Sequence, residues 1–164
     1  MINFRADKTY IWTGLGIIAI LIFYTFFKSI FPSEGARVRK FILEGKRAVE
    51  TKNILACAGM ISTNYQDRYG NDRQSLIYTA REAFAYYKDV LITVEKMKIQ
   101  LNEAKDQADV EIVALVLFRS KDNRIEKMFE GEKGRFRVKL VKEDKSWRVQ
   151  ELEFLEELTL KPFA

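Results

Sequence analysis

Hydrophobic and polar positions divide this chain into an apolar run, a region of helical spacing and a region of strand-like alternation. The run TYIWTGLGIIAILIFYTFF holds 19 uncharged residues, from position 9 to position 27. That is about the length that a helix needs to cross a hydrocarbon core of roughly 30 Å. No cleavage site of small residues follows, which argues against a removed signal peptide; a buried core helix is the other alternative. The pattern predicts a short tail over residues 1–8 and a transmembrane helix over residues 9–31.

The next part of the chain has the spacing of amphipathic helices. Apolar residues recur at three- and four-residue intervals over residues 34–52, which predicts one helix with a buried face. Asn53 can start a short second helix, and Asn71 or Asp72 can cap a third helix that extends to about Lys88. A polar turn, TNYQDRYG, separates the second and third helices.

From residue 90 onwards, the pattern changes to the two-residue alternation of β-strands. The alternating segments are residues 90–102, 109–119, 135–142 and 146–155. The apolar phase slips by one residue at Glu95–Lys96 and again at Gln150–Glu151, as a β-bulge inside a long strand produces. If these are bulges, Val94 and Met97 both point towards the helices.

The order of helices and strands predicts the fold class. Helices followed by strands indicate an α+β domain over residues 32–164, with three helices packed on a curved, four-stranded antiparallel sheet. Bulges would bend this sheet into a cone, and the helices would close it around an apolar hollow that can hold a ligand.

Composition excludes several kinds of chemistry. The sequence has no histidine and one cysteine, which removes Ser–His–Asp and Cys–His systems, histidine metal sites and an internal disulfide. Net charge is +5, but residues 33–164 hold 25 Lys and Arg against 22 Asp and Glu, too even for a nucleic-acid-binding face. We expect no cofactor, no metal and no nucleic acid. Any chemistry would depend on carboxylates, tyrosines, lysines or arginines.

Residues 61–76, ISTNYQDRYGNDRQSL, carry a family resemblance. A short helix there leads through a Tyr-x-Asp turn and a glycine into the next helix. With the order of three helices before the strands, this passage resembles the nuclear transport factor 2-like superfamily, whose cone fold includes ketosteroid isomerase and scytalone dehydratase. More narrowly, FPSEGARVRKFILEGKRAVETKN with NYQDRYG is similar to uncharacterised bacterial membrane-anchored members. The resemblance implies the fold but leaves enzymes, binding proteins and assembly modules open.

The resemblance also implies where chemistry would occur. Isomerase-like members use a carboxylate base and a tyrosine or protonated acid in the cavity. No residue here matches their active-site motif, so no catalytic role is carried over, and Asp67 and Tyr65 are only weak candidates. The dehydratases use a His–Asp pair, which this chain cannot supply. An Asp before a glycine turn also accepts backbone N–H groups, and we favour that role for Asp67, with Arg73 as a potential ion-pair partner. The residues expected to line a pocket are Tyr65, Tyr69, Tyr87 and Met97.

An apolar row of the predicted sheet points away from the helices. Val113, Leu115 and Leu117 alternate in a strand that is apolar on both faces, so one of its two rows cannot face the helices. We expect this row to contact a partner protein or a second copy of the chain. Coverage by the loop at residues 120–130 is the alternative.

A basic row occupies the same side of a later strand. It consists of Arg135, Arg137 and Lys139, which alternate with apolar residues. We interpret it as a solvated outer face, neutralised in part by cross-strand pairs with Glu151 and Glu153.

These patterns favour a membrane-tethered binding or assembly module, without catalysis, that contacts a partner protein or a small apolar ligand. One alternative is an isomerase or lyase that uses a cavity carboxylate and tyrosine. Another is a secretion-apparatus component, by analogy with the assembly protein of type IV secretion systems. We expect the protein to lie in the inner (cytoplasmic) membrane, with the domain on the periplasmic or extracytoplasmic side. A count of Lys and Arg alone would favour the cytoplasm, but folded domains translocate largely regardless of charge.

Overall fold

A computed structural model of the chain describes residues 17, 18, 20, 32–120 and 130–158. The chain divides into two compact units, Met1–Glu34 and Gly35–Ala164. From residue 32 onwards, the described helices are α1 (Glu34–Glu50), α2 (Ile54–Met60) and α3 (Arg73–Tyr86). The strands are β1 (Tyr87–Leu101), β2 (Gln107–Ser120), β3 (Glu130–Glu143) and β4 (Ser146–Leu158). The predicted α+β class, with three helices on a four-stranded antiparallel sheet, is confirmed.

Side chains at the helix starts explain where α2 and α3 begin. Asn53 accepts a hydrogen bond from the Ala56 backbone N–H at 3.0 Å, which satisfies one of the free donors of the first turn. Asp72 accepts from the Ser75 N–H at 2.8 Å, and the Ser75 hydroxyl accepts from the Asp72 N–H at 2.8 Å. This reciprocal capping box fixes the first turn of α3.

The four strands form one sheet in chain order, so each strand pairs with its sequence neighbour. Register shifts leave Glu95 of β1 and Gln150 of β4 without a cross-strand partner. The two predicted bulges are therefore confirmed. Further register shifts occur at Lys88 and Leu155. Each bulge bends its strand and increases the local twist, which curves the sheet.

The buried core lies against one face of the sheet, which we call the inner face. Val38 of α1 is fully buried there, and Leu140 of β3 is 1% exposed. Val94 and Met97, on the two sides of the Glu95 bulge, both pack against this core as predicted. The core cluster consists of Val38, Ala108, Val110, Ile112, Ala114, Val138, Leu140 and Trp147.

Two hydrogen bonds join the end of α1 to the free edge of β1. The Glu50 carboxylate accepts the backbone N–H of Ile92 at 2.8 Å. Two residues further on, Lys52 donates from Nζ to the backbone carbonyl of Tyr87 at 2.9 Å. Both bonds use backbone groups that an edge strand would otherwise leave unpaired.

The segment after α2 forms backbone hydrogen bonds with the opposite edge of the sheet. The Ser62 N–H donates to the Val149 carbonyl at 2.9 Å, and the Gln66 N–H donates to the Gln150 carbonyl at 3.2 Å. This segment runs along β4 at its bulge and sets the position of the loop that follows.

Several predicted boundaries differ from the observed ones. Helix α3 ends at Tyr86 rather than near Lys88, because β1 begins at the next residue. Strand β3 begins at Glu130 rather than at residue 135, so two glycines lie inside it. One of them, Gly134, needs to be a glycine: an added Cβ would lie 2.7 Å from Cε2 of Phe154.

The predicted tail and membrane helix, residues 1–8 and 9–31, lie outside the described residues apart from Ile17, Ile18 and Ile20. Those three residues are helical and exposed. Within the part of the chain that the structure describes, no helix is long and apolar enough to span a bilayer.

Candidate functional site

The loop between α2 and α3 is organised around the carboxylate of Asp67. Its Oδ1 accepts the backbone N–H groups of Tyr69 and Asn71, each at 2.9 Å. Its Oδ2 accepts the side-chain amide of Asn71 at 2.9 Å and the hydroxyl of Tyr65 at 3.1 Å. Gly70 lies between Tyr69 and Asn71 with φ at 84°, a backbone conformation that favours glycine. The predicted acceptance of backbone N–H groups by Asp67 is confirmed.

These contacts set the acidity of both side chains. Asp67 is 9% exposed; burial raises its pKa, but hydrogen bonds from Asn71, Tyr65 and Tyr69 outweigh burial and hold the pKa below its ordinary value. Tyr65 is 3% exposed, and burial together with the bond to Asp67 raises the pKa of its phenol. A carboxylate with a lowered pKa is a weak base near neutrality, and such a phenol stays protonated.

Two further bonds hold the segments beside this loop. Arg73 does not pair with Asp67 as the sequence suggested, because it donates from Nη2 to the Ala58 carbonyl at 3.0 Å. The fully buried Ser62 donates from Oγ to the Glu143 carboxylate at 2.5 Å. The Asp67 loop is therefore fixed to α2 and to the end of β3.

The four residues predicted to line one pocket do not come together. Tyr65 is buried, whereas Tyr69 is 59% exposed and donates its hydroxyl to the Phe154 carbonyl at 3.3 Å. Tyr87 and Met97 both lie on β1, separated by about 30 Å of extended strand. A single small pocket cannot be formed by all four.

The described residues offer no cluster for metal chemistry. Across residues 32–120 and 130–158, no group of three or more His, Cys, Asp or Glu residues could hold a metal ion. Cys57 is half-buried, and burial raises the pKa of its thiol. A protonated thiol is a poor nucleophile and a poor ligand.

The apolar row of β2 lies on the outer face, opposite the core. Its residues alternate with Ile112 and Ala114, which are buried on the inner face. In the register of the sheet, Leu117 pairs with Leu91 of β1, which is 48% exposed. The row itself is half-buried and consists of Val113, Leu115 and Leu117.

The basic row of β3 also lies on the outer face, and its charges are paired as predicted. Lys139 contacts Glu151 at 2.6 Å, and Arg137 contacts Glu153 at 3.4 Å. Arg137 also reaches Glu111 of β2 at 3.5 Å. These cross-strand pairs neutralise the row, so it forms a polar border beside the apolar row rather than an anion-binding strip.

Helices α1 and α2 and the β3–β4 turn form a cleft together. The sequence pattern did not indicate this cleft. Its volume is about 460 Å³, and its walls include Trp147 of β4 and Met60 of α2. Arg37 and Lys40 of α1 stand at this cleft. A signal in the sequence was the basic character of α1, which contains Arg37, Arg39, Lys40, Lys46 and Arg47.

Solved structures share the fold of this domain at low sequence identity. One is a scytalone dehydratase candidate from Novosphingobium aromaticivorans, with a TM-score of 0.64, 13% identity, and coverage of 78% of this chain and 88% of the other. A type 2 hexachlorocyclohexane dehydrochlorinase has a TM-score of 0.61 at 12% identity, with coverage of 79% of this chain and 91% of the other. A nuclear transport factor 2-like superfamily protein from Salmonella enterica serovar Typhimurium has a TM-score of 0.62 at 9% identity, covering 76% and 92%.

No family model matches the chain, and no curated protein sequence matches it either. The structural neighbours show that the domain has the nuclear transport factor 2-like, or cystatin-like, fold that the sequence resemblance implied. Because the neighbours include enzymes as well as proteins of unknown function, the fold leaves the activity open.

Proposed function

We propose that this protein is a membrane-tethered binding or assembly module that contacts a partner protein through the outer face of its sheet. The observation that supports the proposal is the apolar row on that face, Val113, Leu115 and Leu117, extended sideways by the exposed Leu91. Helix α1 packs on the inner face, where the core lies.

The surroundings of the row support an interface. Apolar side chains grouped on a surface and bordered by polar residues are typical of protein-binding sites. Two charged pairs here are already formed: Arg135 contacts Glu156 at 3.0 Å, and Lys133 of β3 reaches across β2 to Glu95 of β1 at 2.6 Å. A partner that covers these two pairs would not bury an unpaired charge there, which would be costly.

The chemistry of the Asp67 loop weakens the isomerase or lyase alternative. A carboxylate base needs a raised pKa to abstract a proton near neutrality. Four hydrogen bonds to Asp67 act in the opposite direction. The secretion-apparatus alternative is a special case of the assembly module and would use the same face.

A small apolar ligand is a second candidate, favoured by the inner face. Phe154 belongs to the apolar row of β4 that packs towards Phe136, with ring centroids 5.4 Å apart, yet it is 44% exposed. An exposed aromatic ring on the core side of a sheet is a natural contact for an apolar molecule.

Site-specific photo-crosslinking tests the leading proposal. A benzophenone side chain at position 117 of the full-length protein should crosslink to one discrete partner in intact membranes. The same group at Gln100, an exposed position on β1, is the matched control and should give no such product. Leu115→Asp should abolish the crosslink at position 117 and leave the melting temperature of the domain nearly unchanged.

The mass of the product separates a second copy of this chain from a different protein. Equal crosslinking at positions 117 and 100, or a product that persists in Leu115→Asp, would reject the outer face as the interface.

A further inference from the structure

The cleft between α1, α2 and the β3–β4 turn combines an apolar wall with a charged rim. Phe41, Met60 and Trp147 supply apolar and aromatic surface. The volume of about 460 Å³ lies within the range of small-molecule sites, roughly 300–1,000 Å³. The cleft uses neither the Asp67 carboxylate nor the outer face of the sheet, so it is separate from both regions described above.

The charged groups of the rim are mostly positive. Arg37 and Lys40 come from α1, while Lys145 and Arg148 come from the turn and from β4. The acidic residue at the cleft, Glu44, pairs with Lys40 at 3.7 Å across an exposed helix turn. An exposed pair of this kind is weak, and Lys145 and Arg148 alone leave the rim with a net positive charge that favours an anion.

Trp147 contributes a buried polar group to the wall. The side chain is 5% exposed, and its indole Nε1 is buried without a hydrogen-bond acceptor in the described part of the chain. A buried donor without an acceptor is unfavourable. An acceptor group that reached this nitrogen would offset part of that cost.

The turn that carries Lys145 is held in an unusual backbone conformation. Asp144 has φ at 48° and Lys145 has φ at 65°, although neither is a glycine. Such left-handed residues occur in tight hairpins, usually as Asn-Gly or Asp-Gly, and a lysine there is disfavoured. The conformation holds the Lys145 backbone at the cleft.

We propose that this cleft binds a small amphipathic anion, whose simplest form is an aromatic carboxylate. The charged head would lie at the rim beside Lys145 and Lys40, and the flat apolar body would rest against Phe41 and Met60, next to Trp147. The proposal is independent of the partner interface, because the two surfaces share no residue.

Tryptophan fluorescence of the full-length protein in neutral detergent tests the proposal. The chain has two tryptophans, so in Trp12→Phe the emission reports Trp147 alone. Benzoate should change this emission saturably. Benzamide has the same shape without the charge, and it should bind about tenfold more weakly because charge-assisted hydrogen bonds are lost. Acetate has the charge without the ring and should produce no saturable change.

A matched pair of lysine variants locates the site. Lys145→Asn keeps a residue that tolerates the left-handed conformation and removes the charge, so benzoate affinity should fall about twofold to fivefold. Lys105→Asn makes the same change in the β1–β2 turn, where φ is 56°, and affinity should stay unchanged. Equal binding of benzoate and benzamide, or equal affinities of the two variants, would overturn the proposal. Calorimetric titration of benzoate into the unmodified protein must give the same affinity.

Discussion

The Glu50 carboxylate holds two elements together by accepting the backbone N–H of Ile92 at 2.8 Å. Its second oxygen accepts the Lys46 ammonium at 2.7 Å. Burial raises the pKa of Glu50, but these two bonds outweigh it and lower the pKa overall. One side chain at the end of α1 thus fixes the angle at which the helix meets the first strand.

Replacing Glu50 should reveal the strength of this junction. Glu50→Ala removes the acceptor of the Ile92 N–H and should lower the free energy of unfolding by about 1–3 kcal/mol. Glu50→Gln keeps an oxygen acceptor and loses only the charge, so its loss should be smaller. Urea unfolding at neutral pH measures both variants. Two variants that unfold like the wild type would show that the bond contributes nothing to stability.

Asp67→Asn separates a structural role from a catalytic one. The new amide places a donor where Tyr65 and Asn71 already donate to Oδ2, so the melting temperature should fall, with a loss of about 1–2 kcal/mol. Crosslinking from position 117 should be unaffected. A variant that melts like the wild type but no longer converts an enolisable ketone would support the isomerase alternative instead.

Acid should destabilise the domain partly through the same carboxylate. The pKa of Asp67 is lowered in the folded state, so its contribution is present above the unfolded pKa of about 3.9 and is lost as pH falls through the folded pKa. The melting temperature of the wild type should therefore fall more steeply below about pH 4 than that of Asp67→Asn. Parallel slopes for the two proteins would contradict the lowered pKa.

Gly134 should tolerate no side chain. An added Cβ would lie 2.7 Å from Cε2 of Phe154 and 3.2 Å from Cε2 of Phe136, so Gly134→Ala should cost about 1–3 kcal/mol through overpacking. Gly59→Ala is the control, because nothing lies within 4 Å of its Cβ in α2 and alanine favours a helix. Adding Phe154→Leu to Gly134→Ala should restore part of the loss, and a strictly additive double variant would exclude the proposed clash.

The expected membrane helix has its own test. If residues 9–31 form an uncleaved span, carbonate-washed membranes should retain the whole chain, and the mature N-terminus should precede this segment. A chain that is released by carbonate, or that begins near Pro32, would contradict the prediction.

The strand bulges show how much of the fold the sequence reveals. At Glu95 and Gln150, apolar residues resume on the opposite phase after the bulge, so the slip is visible in the pattern. At Leu155, the residues that follow are Glu156 and Glu157, and no apolar row remains to mark the change. A bulge is readable only where buried residues lie on both sides of it.

The site was predictable only where its geometry is local. Asp67 and the groups that bond to it lie within seven consecutive positions, 65–71, so their roles follow from turn chemistry. The bond from Glu50 to Ile92 crosses 42 positions, and the cleft at Trp147 needs three separate elements. The periodicity of a sequence does not encode contacts between residues that are far apart in the chain, because many helix orientations satisfy the same periodicity.

Hydrogen bonds at both edges of the sheet limit how this domain can associate with other chains. Backbone groups of Ile92 and Tyr87 on β1, and of Val149 and Gln150 on β4, are already bonded to segments outside the sheet. Added strands from another chain would have to displace those bonds, so β-augmentation and runaway fibre growth are disfavoured. Recognition by this domain must then depend on side-chain identity rather than on strand pairing.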